Sequence, residues 1–315
     1  MQHKISTRIL TITMVSLSVL FMFVSCKKKN DPVQVPGTIT AIVSNSPDFT
    51  FLKAAVVKAG LAATLDGKSP FTVFAPTNDA FMASGITMAT INQLSPDALK
   101  GVLLYHTVSG KAMAKDLPSG PNANIGTVSG KDVFVTKNDK GVFVNGVTVT
   151  KADIMATNGV IHAISRVLMP PAGNIVETAS ANPDFTFLVA AVVRASQGNT
   201  NVASVLSGAG PFTLFAPTND AFKAAGFATM DAINNADPNT LTTILTYHVI
   251  EGRVFSSDLT NAAMPKTVNG GTVTINLTNG ATVKGNSNTT ASKITSTDLV
   301  TTNGVIHTID QVLLP

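Results

Sequence analysis

The chain has 315 residues, of which 44% are hydrophobic and 13% are charged, so it holds enough apolar material for packed globular cores. A single cysteine excludes a disulfide framework or a cysteine-ligated metal site as the basis of the fold. The formal net charge is only +4, and no basic stripe with interleaved aromatic residues is present, which argues against nucleic-acid binding.

Residues 1–25 have the pattern of a lipoprotein signal peptide. Lys4 and Arg8 precede an uncharged run over residues 9–24, which is shorter than the ~20 residues of a membrane-spanning helix. The run ends at Ser25-Cys26 and resembles a bacterial lipobox, so we predict that Cys26 carries the lipid and begins the mature chain. Ordinary signal-peptidase cleavage nearby, which would leave a soluble secreted protein, stays open as the alternative.

Residues 26–37 are predicted to be a tether between the lipid and the first domain. Removal of the signal peptide leaves 20 basic against 18 acidic residues, so the mature chain is close to neutral. Three of its basic residues, Lys27, Lys28 and Lys29, follow the anchor directly. They could contact anionic lipid headgroups, or they could simply be solvated.

From residue 38 onward the sequence consists of two copies of one unit. Four blocks occur twice in the same order: PDFTFL at 47–52 and 183–188, FAPTNDAF at 74–81 and 215–222, Tyr-His at 105–106 and 247–248, and NGVIH at 158–162 and 303–307. The offset grows from 136 to 145 residues, so only connecting loops differ in length. Units of this size are whole domains, predicted here at 38–170 and 171–315 with the boundary at Pro170-Pro171.

The first half of each unit is predicted to be mainly helical. In the first copy, apolar residues at helical spacing predict a helix over 51–59, with Asp48 or Thr50 as the N-cap. A short strand follows at 71–74, and Thr77 or Asn78 caps the next short helix. A further helix starts at 95–97 and presents an apolar face that includes His106.

The second half of each unit changes to strand periodicity. The first copy has predicted strands at 132–136, 142–144, 147–150 and 159–167, and Asn145-Gly146 is a strong type I′ hairpin signal. The second copy has predicted strands at 272–277 and 306–314, with a turn at 279–280. Helices followed by antiparallel strands predict two α+β domains.

The repeated blocks resemble those of the fasciclin (FAS1) domain family, and the resemblance covers nearly the whole predicted mature chain. Residues 71–81 and 212–222 are similar to the first signature block of the family, and residues 158–170 and 303–315 to the second. The Tyr-His pairs lie between these blocks, as they do in the family. The resemblance implies a wedge of short β-strands with helices packed on it and a role in adhesion or matrix contact. It brings no catalytic residues.

A finer part of the resemblance concerns an Asp-Ile pair that animal members use, together with Tyr-His, in binding integrins. The first copy has Asp153-Ile154 at this place beside its Tyr105-His106 motif, and the second copy has Asp298-Leu299 with Tyr247-His248. These eight residues are the candidate site. They either bind a partner or only support the fold, the aspartates by serving a turn or a hydrogen bond.

Four histidines belong to the repeated blocks: His106, His162, His248 and His307. Two histidines per unit do not supply the four ligands of a structural zinc site, so no metal or other cofactor is predicted. Because their neighbours are apolar, we expect each histidine to make buried hydrogen bonds to backbone or to Asp153 and Asp298. No hydrolase elbow, phosphate-binding loop or carboxylate cluster stands out, and we predict that the chain is not an enzyme.

The sequence therefore predicts a lipid-anchored protein of the cell envelope, with the outer membrane favoured and the surface or periplasmic face left open. Its predicted function is adhesion or contact with an extracellular protein or matrix. Two alternatives remain, a glycan- or small-ligand-binding lipoprotein and a periplasmic scaffold. The absence of tryptophan, with only two tyrosines, weakens the glycan alternative. Partner choice is predicted to lie where the copies diverge, at 140–152 and 279–296.

Overall fold

The computed structural model describes residues 37–67 and 69–315. The predictions for the signal peptide, for Cys26 and for nearly all of the tether lie outside the described residues. Within the described part, the chain forms two consecutive α+β domains with the same order of elements, as the repeat predicted. No helix in that part is both long and apolar enough to cross a membrane.

The first domain begins with helices and continues into strands. Its helices are α1 (Ile39–Asn45), α2 (Thr50–Lys58), α3 (Ala62–Leu65), α4 (Asn78–Ala83), α5 (Met88–Gln93) and α6 (Pro96–Tyr105). Its strands are β1 (Phe71–Pro76), β2 (Thr107–Ser109), β3 (Gly120–Gly126), β4 (Asp132–Asn138), β5 (Gly141–Val144), β6 (Val147–Ala156) and β7 (Gly159–Ile164).

The second domain repeats this plan with one strand fewer and with shorter strands in its middle. Its helices are α7 (Ile175–Ser180), α8 (Thr186–Ala195), α9 (Val202–Ser207), α10 (Asn219–Ala224), α11 (Met230–Asn234) and α12 (Pro238–Tyr247). Its strands are β8 (Phe212–Pro217), β9 (Val249–Glu251), β10 (Thr274–Asn276), β11 (Thr282–Lys284), β12 (Ser292–Thr301) and β13 (Gly304–Ile309).

Each domain has one sheet, and the two sheets share their topology except that the second has six strands instead of seven. The strand order is β2-β1-β7-β6-β5-β4-β3 in the first domain and β10-β11-β12-β13-β8-β9 in the second. The pairs β1–β7 and β8–β13 are parallel, and the other pairs are antiparallel. The sequence predicted the antiparallel part only. The parallel pair joins the two signature blocks of each domain, which lie about 90 residues apart in sequence.

The cores lie on the two faces of the central strands, because side chains alternate along a strand. In β1, Val73 and Ala75 face the helices, whereas Phe74 faces a second core formed with Tyr105 and the hairpin strands. The second domain repeats both cores, with Leu214 and Phe215 at the equivalent places. The phenylalanines that recur in both copies are therefore core residues rather than an exposed aromatic surface.

The cap predicted for helix α2 is wrong. Its N-cap residue, Phe49, supplies no side-chain hydrogen bond. Asn78 does so instead from the next block, since its Oδ1 accepts from the Phe51 backbone N–H at 3.1 Å and from the Thr50 hydroxyl at 3.0 Å. The cap of helix α4 is Thr77, one of the two residues predicted for it. Asn78 is thus free to tie two helices together, a contact that local spacing cannot reveal.

The Asn-Gly pair of the second signature block closes the parallel strand pair. Asn158 Oδ1 accepts from the Ile39 N–H at 2.9 Å, and its Nδ2 donates to the Leu65 carbonyl at 2.7 Å. At Gly159, which has φ 155°, an added Cβ would lie 2.0 Å from the Phe71 carbonyl oxygen. This close approach permits only glycine, which explains why the dipeptide occurs in both copies.

Candidate functional site

The tyrosine of each Tyr-His pair is buried. Tyr105 donates its hydroxyl to the Asp132 carbonyl at 3.0 Å and accepts from Asn145 Nδ2 at 2.9 Å. Burial raises the pKa of Tyr105 to about 12. Tyr247 is placed in the same way, accepting from the Asn286 N–H at 2.9 Å. Both rings are fully buried, so they fasten the end of a helix to the hairpin strands instead of facing a partner.

The histidine of each pair is buried as well. His106 donates Nδ1–H to the Val102 carbonyl at 2.8 Å and accepts at Nε2 from the Leu168 N–H at 2.9 Å. His248 makes the same two bonds with Ile244 and Leu313. Burial lowers the pKa of both rings to about 4, which keeps them neutral. The predicted buried hydrogen bonds to backbone are confirmed, and each ring holds the C-terminal segment of its domain.

Asp153 occupies an irregular point of strand β6, where the register with β7 shifts. Its φ of 60° lies in the left-handed region, which non-glycine residues rarely adopt. Its Oδ1 accepts from the Ala114 N–H at 2.8 Å, and its N–H donates to His162 Nδ1 at 3.2 Å. His162 in turn lies 2.9 Å from the Ala112 carbonyl through Nε2. The aspartate therefore fixes the loop after β2 against the last strand.

Asp298 repeats this arrangement in the second domain. Its φ is 66°, its Oδ1 accepts from the Ser256 N–H at 2.7 Å, and its N–H donates to His307 Nδ1 at 3.3 Å. His307 Nε2 lies 2.8 Å from the Val254 carbonyl. Both aspartates thus have a hydrogen-bonding role in the fold. The Tyr-His pair and the aspartate of one domain belong to separate hydrogen-bond networks.

The residues after the two aspartates differ in exposure. Ile154 is half-buried and packs against the helical core, whereas Leu299 is 38% exposed. Leu299 lines a cleft between the two domains. Of the eight candidate residues, the four of the Tyr-His pairs are buried. Leu299 is the candidate side chain that is most available for contact.

The two domains meet at a buried arginine. Arg253, which is 8% exposed, places its guanidinium 4.0 Å from the centre of the Phe134 ring of the first domain. Its Nη1 donates to the carbonyls of Thr301 and Gly304. Burial lowers the pKa of Arg253 to about 10, and Tyr105 opposes that shift. The guanidinium thus joins the sheet of the second domain to an aromatic side chain of the first.

Further contacts surround this arginine. Phe134 and Phe255 lie 6.1 Å apart and form an apolar cluster with Val300 and Val305. The Thr136 hydroxyl donates to Asp258 Oδ1 at 2.9 Å across the junction. The repeat does not single out Arg253, because the equivalent position of the first copy holds a different residue, Lys111.

Beside this junction lies a cleft of about 390 Å³ to which both domains contribute. The first domain supplies the turn at Gly146 and residues 165–169, and the second supplies residues 297–300. Gly146 approaches Asp298 so closely that an added Cβ would lie 2.6 Å from its carboxyl group. In the described part of the chain, no group of three or more His, Cys, Asp or Glu residues could hold a metal ion.

A fasciclin domain model matches the chain twice, over residues 47–170 and 183–315. The chain belongs to the fasciclin domain family. The resemblance seen in the repeated blocks is therefore confirmed, together with the α+β fold of two tandem domains. The Tyr-His pairs, the Asn-Gly pairs and the aspartates lie within the matched residues, and their polar side chains make hydrogen bonds inside their own domain.

Relatives of this fasciclin protein come from several kingdoms. Human periostin is 31% identical over 260 residues, which are 80% of this chain and 29% of periostin. Protein sll1483 of Synechocystis is 40% identical over 136 residues, which are 42% of this chain and 74% of that protein. A solved FAS1 domain pair from the insect cell adhesion molecule fasciclin I has a TM-score of 0.41 and 17% identity, covering 84% of this chain and 96% of that one. The chain thus spans less than a third of periostin.

The buried histidines should make the stability of the two fasciclin domains depend on pH. The pKa of His106 and His248 is about 4, and burial also lowers that of His307, whereas unfolded histidine titrates near ~6.5. Their contribution is therefore fully present above about pH 6.5 and is lost as the pH falls toward about 4. The expected slope is about 1.4 kcal/mol per pH unit for each such histidine.

Urea unfolding at several pH values between about 7.5 and 5 would measure this slope while most carboxylates stay ionised. The His106→Gln variant should be less stable but should show a shallower slope, because one titrating group is gone. A free energy of unfolding that stays constant over this range would contradict the assignment of neutral, buried rings.

Proposed function

We propose that the chain is a lipid-anchored envelope protein that makes non-catalytic contacts with an extracellular partner through two coupled fasciclin domains. Fasciclin domains are linked to cell adhesion and matrix contact in homologues. The observation that best supports the proposal is the junction at Arg253, which joins the two domains into one unit. Two linked contact surfaces raise the effective concentration of the second contact once the first has formed.

The side chains best suited to acid–base chemistry support a contact role. The four repeat histidines and Asp153 are engaged in hydrogen bonds to backbone groups that join segments of one domain. Burial keeps His106 and His248 neutral by lowering their pKa to about 4. A proton-transfer catalyst would need such groups accessible and poised near the working pH. Here the same groups stabilise the fold.

The anchor is tested by the Cys26→Ser variant in the source cells. The wild-type chain should fractionate with membranes, and the variant should appear in soluble fractions, because Cys26 provides the proposed lipid attachment. The control is Ser25→Ala, which changes the neighbouring residue but keeps the cysteine. This variant should remain in the membrane fraction. Membrane retention of Cys26→Ser would remove the lipid anchor from the proposal.

The orientation is tested by adding protease to intact cells and following the second domain with an antibody. Rapid loss of the signal is the expected result, because contact with an outside partner requires exposure at the surface. Protection until the outer membrane is permeabilised would overturn the adhesion role and favour a periplasmic scaffold.

A further inference from the structure

The cleft between the fasciclin domains carries hydrogen-bonding side chains that the fold does not use. Arg166 is exposed and lines the cleft, together with Thr148 and Ser165 of the first domain and Thr297 of the second. Within the described residues, the Arg166 guanidinium and these three hydroxyls make no side-chain hydrogen bond or ion pair. A positive charge and several hydroxyl groups are therefore available to a ligand at this one place.

The second domain shows that this availability is not a general property of the fold. Arg166 and Ser165 follow the first NGVIH block, and the equivalent residues after the second block are Gln311 and Asp310. Asp310 accepts from the Ser292 hydroxyl at 3.0 Å and from the Lys293 N–H at 2.7 Å. Gln311 Oε1 accepts from the Thr290 hydroxyl at 3.0 Å. The same positions are thus occupied by intramolecular bonds in one domain and are open in the other.

The remaining wall of the cleft is apolar or already bonded. Met169 and Leu299, which are 55% and 38% exposed, lie on opposite sides of the domain boundary. Asp298 is the acidic side chain in the wall, and its two oxygens accept from the Ser256 N–H and hydroxyl. Arg166 is consequently the charged group of the wall that is left for a ligand.

We propose that this cleft binds a uronate residue of an acidic polysaccharide. A guanidinium pairs with a carboxylate through two parallel hydrogen bonds, and threonine and serine hydroxyls both donate to and accept from sugar hydroxyls. The side chains of Met169 and Leu299 provide apolar contact for the C–H groups of the sugar ring. The volume of about 390 Å³ lies within the range of small-molecule sites, which often form between domains.

The hydroxyl groups of the cleft favour a sugar over an acidic peptide. An extended peptide that adds to a strand edge is held mainly by main-chain hydrogen bonds. Such a peptide would leave the hydroxyls of Thr148, Ser165 and Thr297 unused, whereas a sugar ring carries hydroxyl groups that bond to them. Recognition through these side chains suits a carboxylate surrounded by hydroxyl groups.

Calorimetric titration of the full chain with tetragalacturonate tests the site. The Arg166→Gln variant copies the second domain and should weaken binding about tenfold, because a charge-assisted hydrogen bond is lost. Lys100→Gln removes the same charge from an exposed helical position outside the cleft and should bind like the wild type. The Arg166→Lys variant should fall between the two, since it keeps the charge without the paired geometry.

Several outcomes would overturn the inference: no binding by the wild type, equal affinity of wild type and Arg166→Gln, or an equal loss in Lys100→Gln. Tetraglutamate that binds as tightly as the sugar would replace the polysaccharide by an acidic peptide. The inference rests on the proposed function in one respect: it assumes that the ligand is extracellular. Calorimetry reports on the cleft alone, so its failure leaves adhesion through another surface to be judged by the cell experiments.

Discussion

Replacing Asn303 by alanine is expected to lower the free energy of unfolding by about 3 kcal/mol. The side chain is 6% exposed, and its Oδ1 accepts from the Ile175 N–H at 2.9 Å. Its Nδ2 donates to the carbonyls of Leu206 and Gly208 at 2.8 and 2.7 Å. The truncation leaves three backbone groups without their partner, and unfolding in urea measures the loss.

Two matched variants separate this effect from that of losing any asparagine. Asn158→Ala removes the equivalent bonds in the first domain, where the side chain is half-buried, and should cost somewhat less. Asn92→Ala changes an exposed side chain and should stay within about 0.5 kcal/mol of the wild type. If Asn303→Ala were as stable as Asn92→Ala, the asparagine would not be what joins helices α7 and α9 to the last strand.

Replacing Arg253 by alanine is expected to cost about 2 to 4 kcal/mol and to loosen the junction between the domains. The guanidinium lies 4.0 Å from the centre of the Phe134 ring and donates to the Thr301 carbonyl at 3.1 Å. Its removal leaves buried carbonyl groups unpaired and a gap against the ring. Urea unfolding measures the loss of stability, and small-angle scattering measures the wider spread of domain orientations.

The first domain supplies the controls for this prediction. Lys111 holds the equivalent position and is exposed, so Lys111→Ala should leave both readouts unchanged. Arg253→Lys copies the first domain and should recover only part of the stability, since an ammonium group cannot stack on Phe134 as a planar guanidinium does. A scattering profile of Arg253→Ala identical to that of the wild type would show that other contacts hold the domains.

Much of the fold follows from local patterns that the repeat makes visible twice. The Asn145-Gly146 turn was predicted from the dipeptide alone, and both residues have positive φ as a type I′ turn requires, at 50° and 77°. The burial of His106 and His162 followed from their apolar neighbours. In each case the deciding information lies within a few residues, so one sequence is enough.

Contacts between distant segments cannot be predicted from local sequence patterns. Asn78 caps a helix that begins 28 residues earlier, and Arg253 bonds to carbonyls about 50 residues later and stacks on the other domain. The sequence pattern does not predict strand β3, because its apolar and polar residues do not alternate. It does not predict strand β12 either, because that segment is mostly polar. Such elements form because a neighbouring strand pairs with them, not because of their own residues.

The candidate site was only partly accessible to sequence reasoning. The repeated blocks single out Tyr105 and Asp153, but spacing cannot distinguish a tyrosine that faces a partner from one that joins a helix to a hairpin. The left-handed backbone of Asp153 gives a physical reason for an aspartate there, because its short polar side chain tolerates this conformation and bonds the adjacent loop. No sequence motif singles out Arg166, and only its position in the cleft identifies it as a candidate.

The central claim, non-catalytic contact through two coupled domains, is tested most directly by adhesion of coated beads. Beads that carry the full chain would be washed over the extracellular matrix of the source cells, and retention under flow would be compared for wild type, Arg253→Ala and Lys111→Ala. Retention of the wild type and Lys111→Ala, with clear weakening in Arg253→Ala and no release of matrix fragments, is the result we predict. Beads that wash off like uncoated ones, or matrix that is degraded by the chain, would contradict the claim.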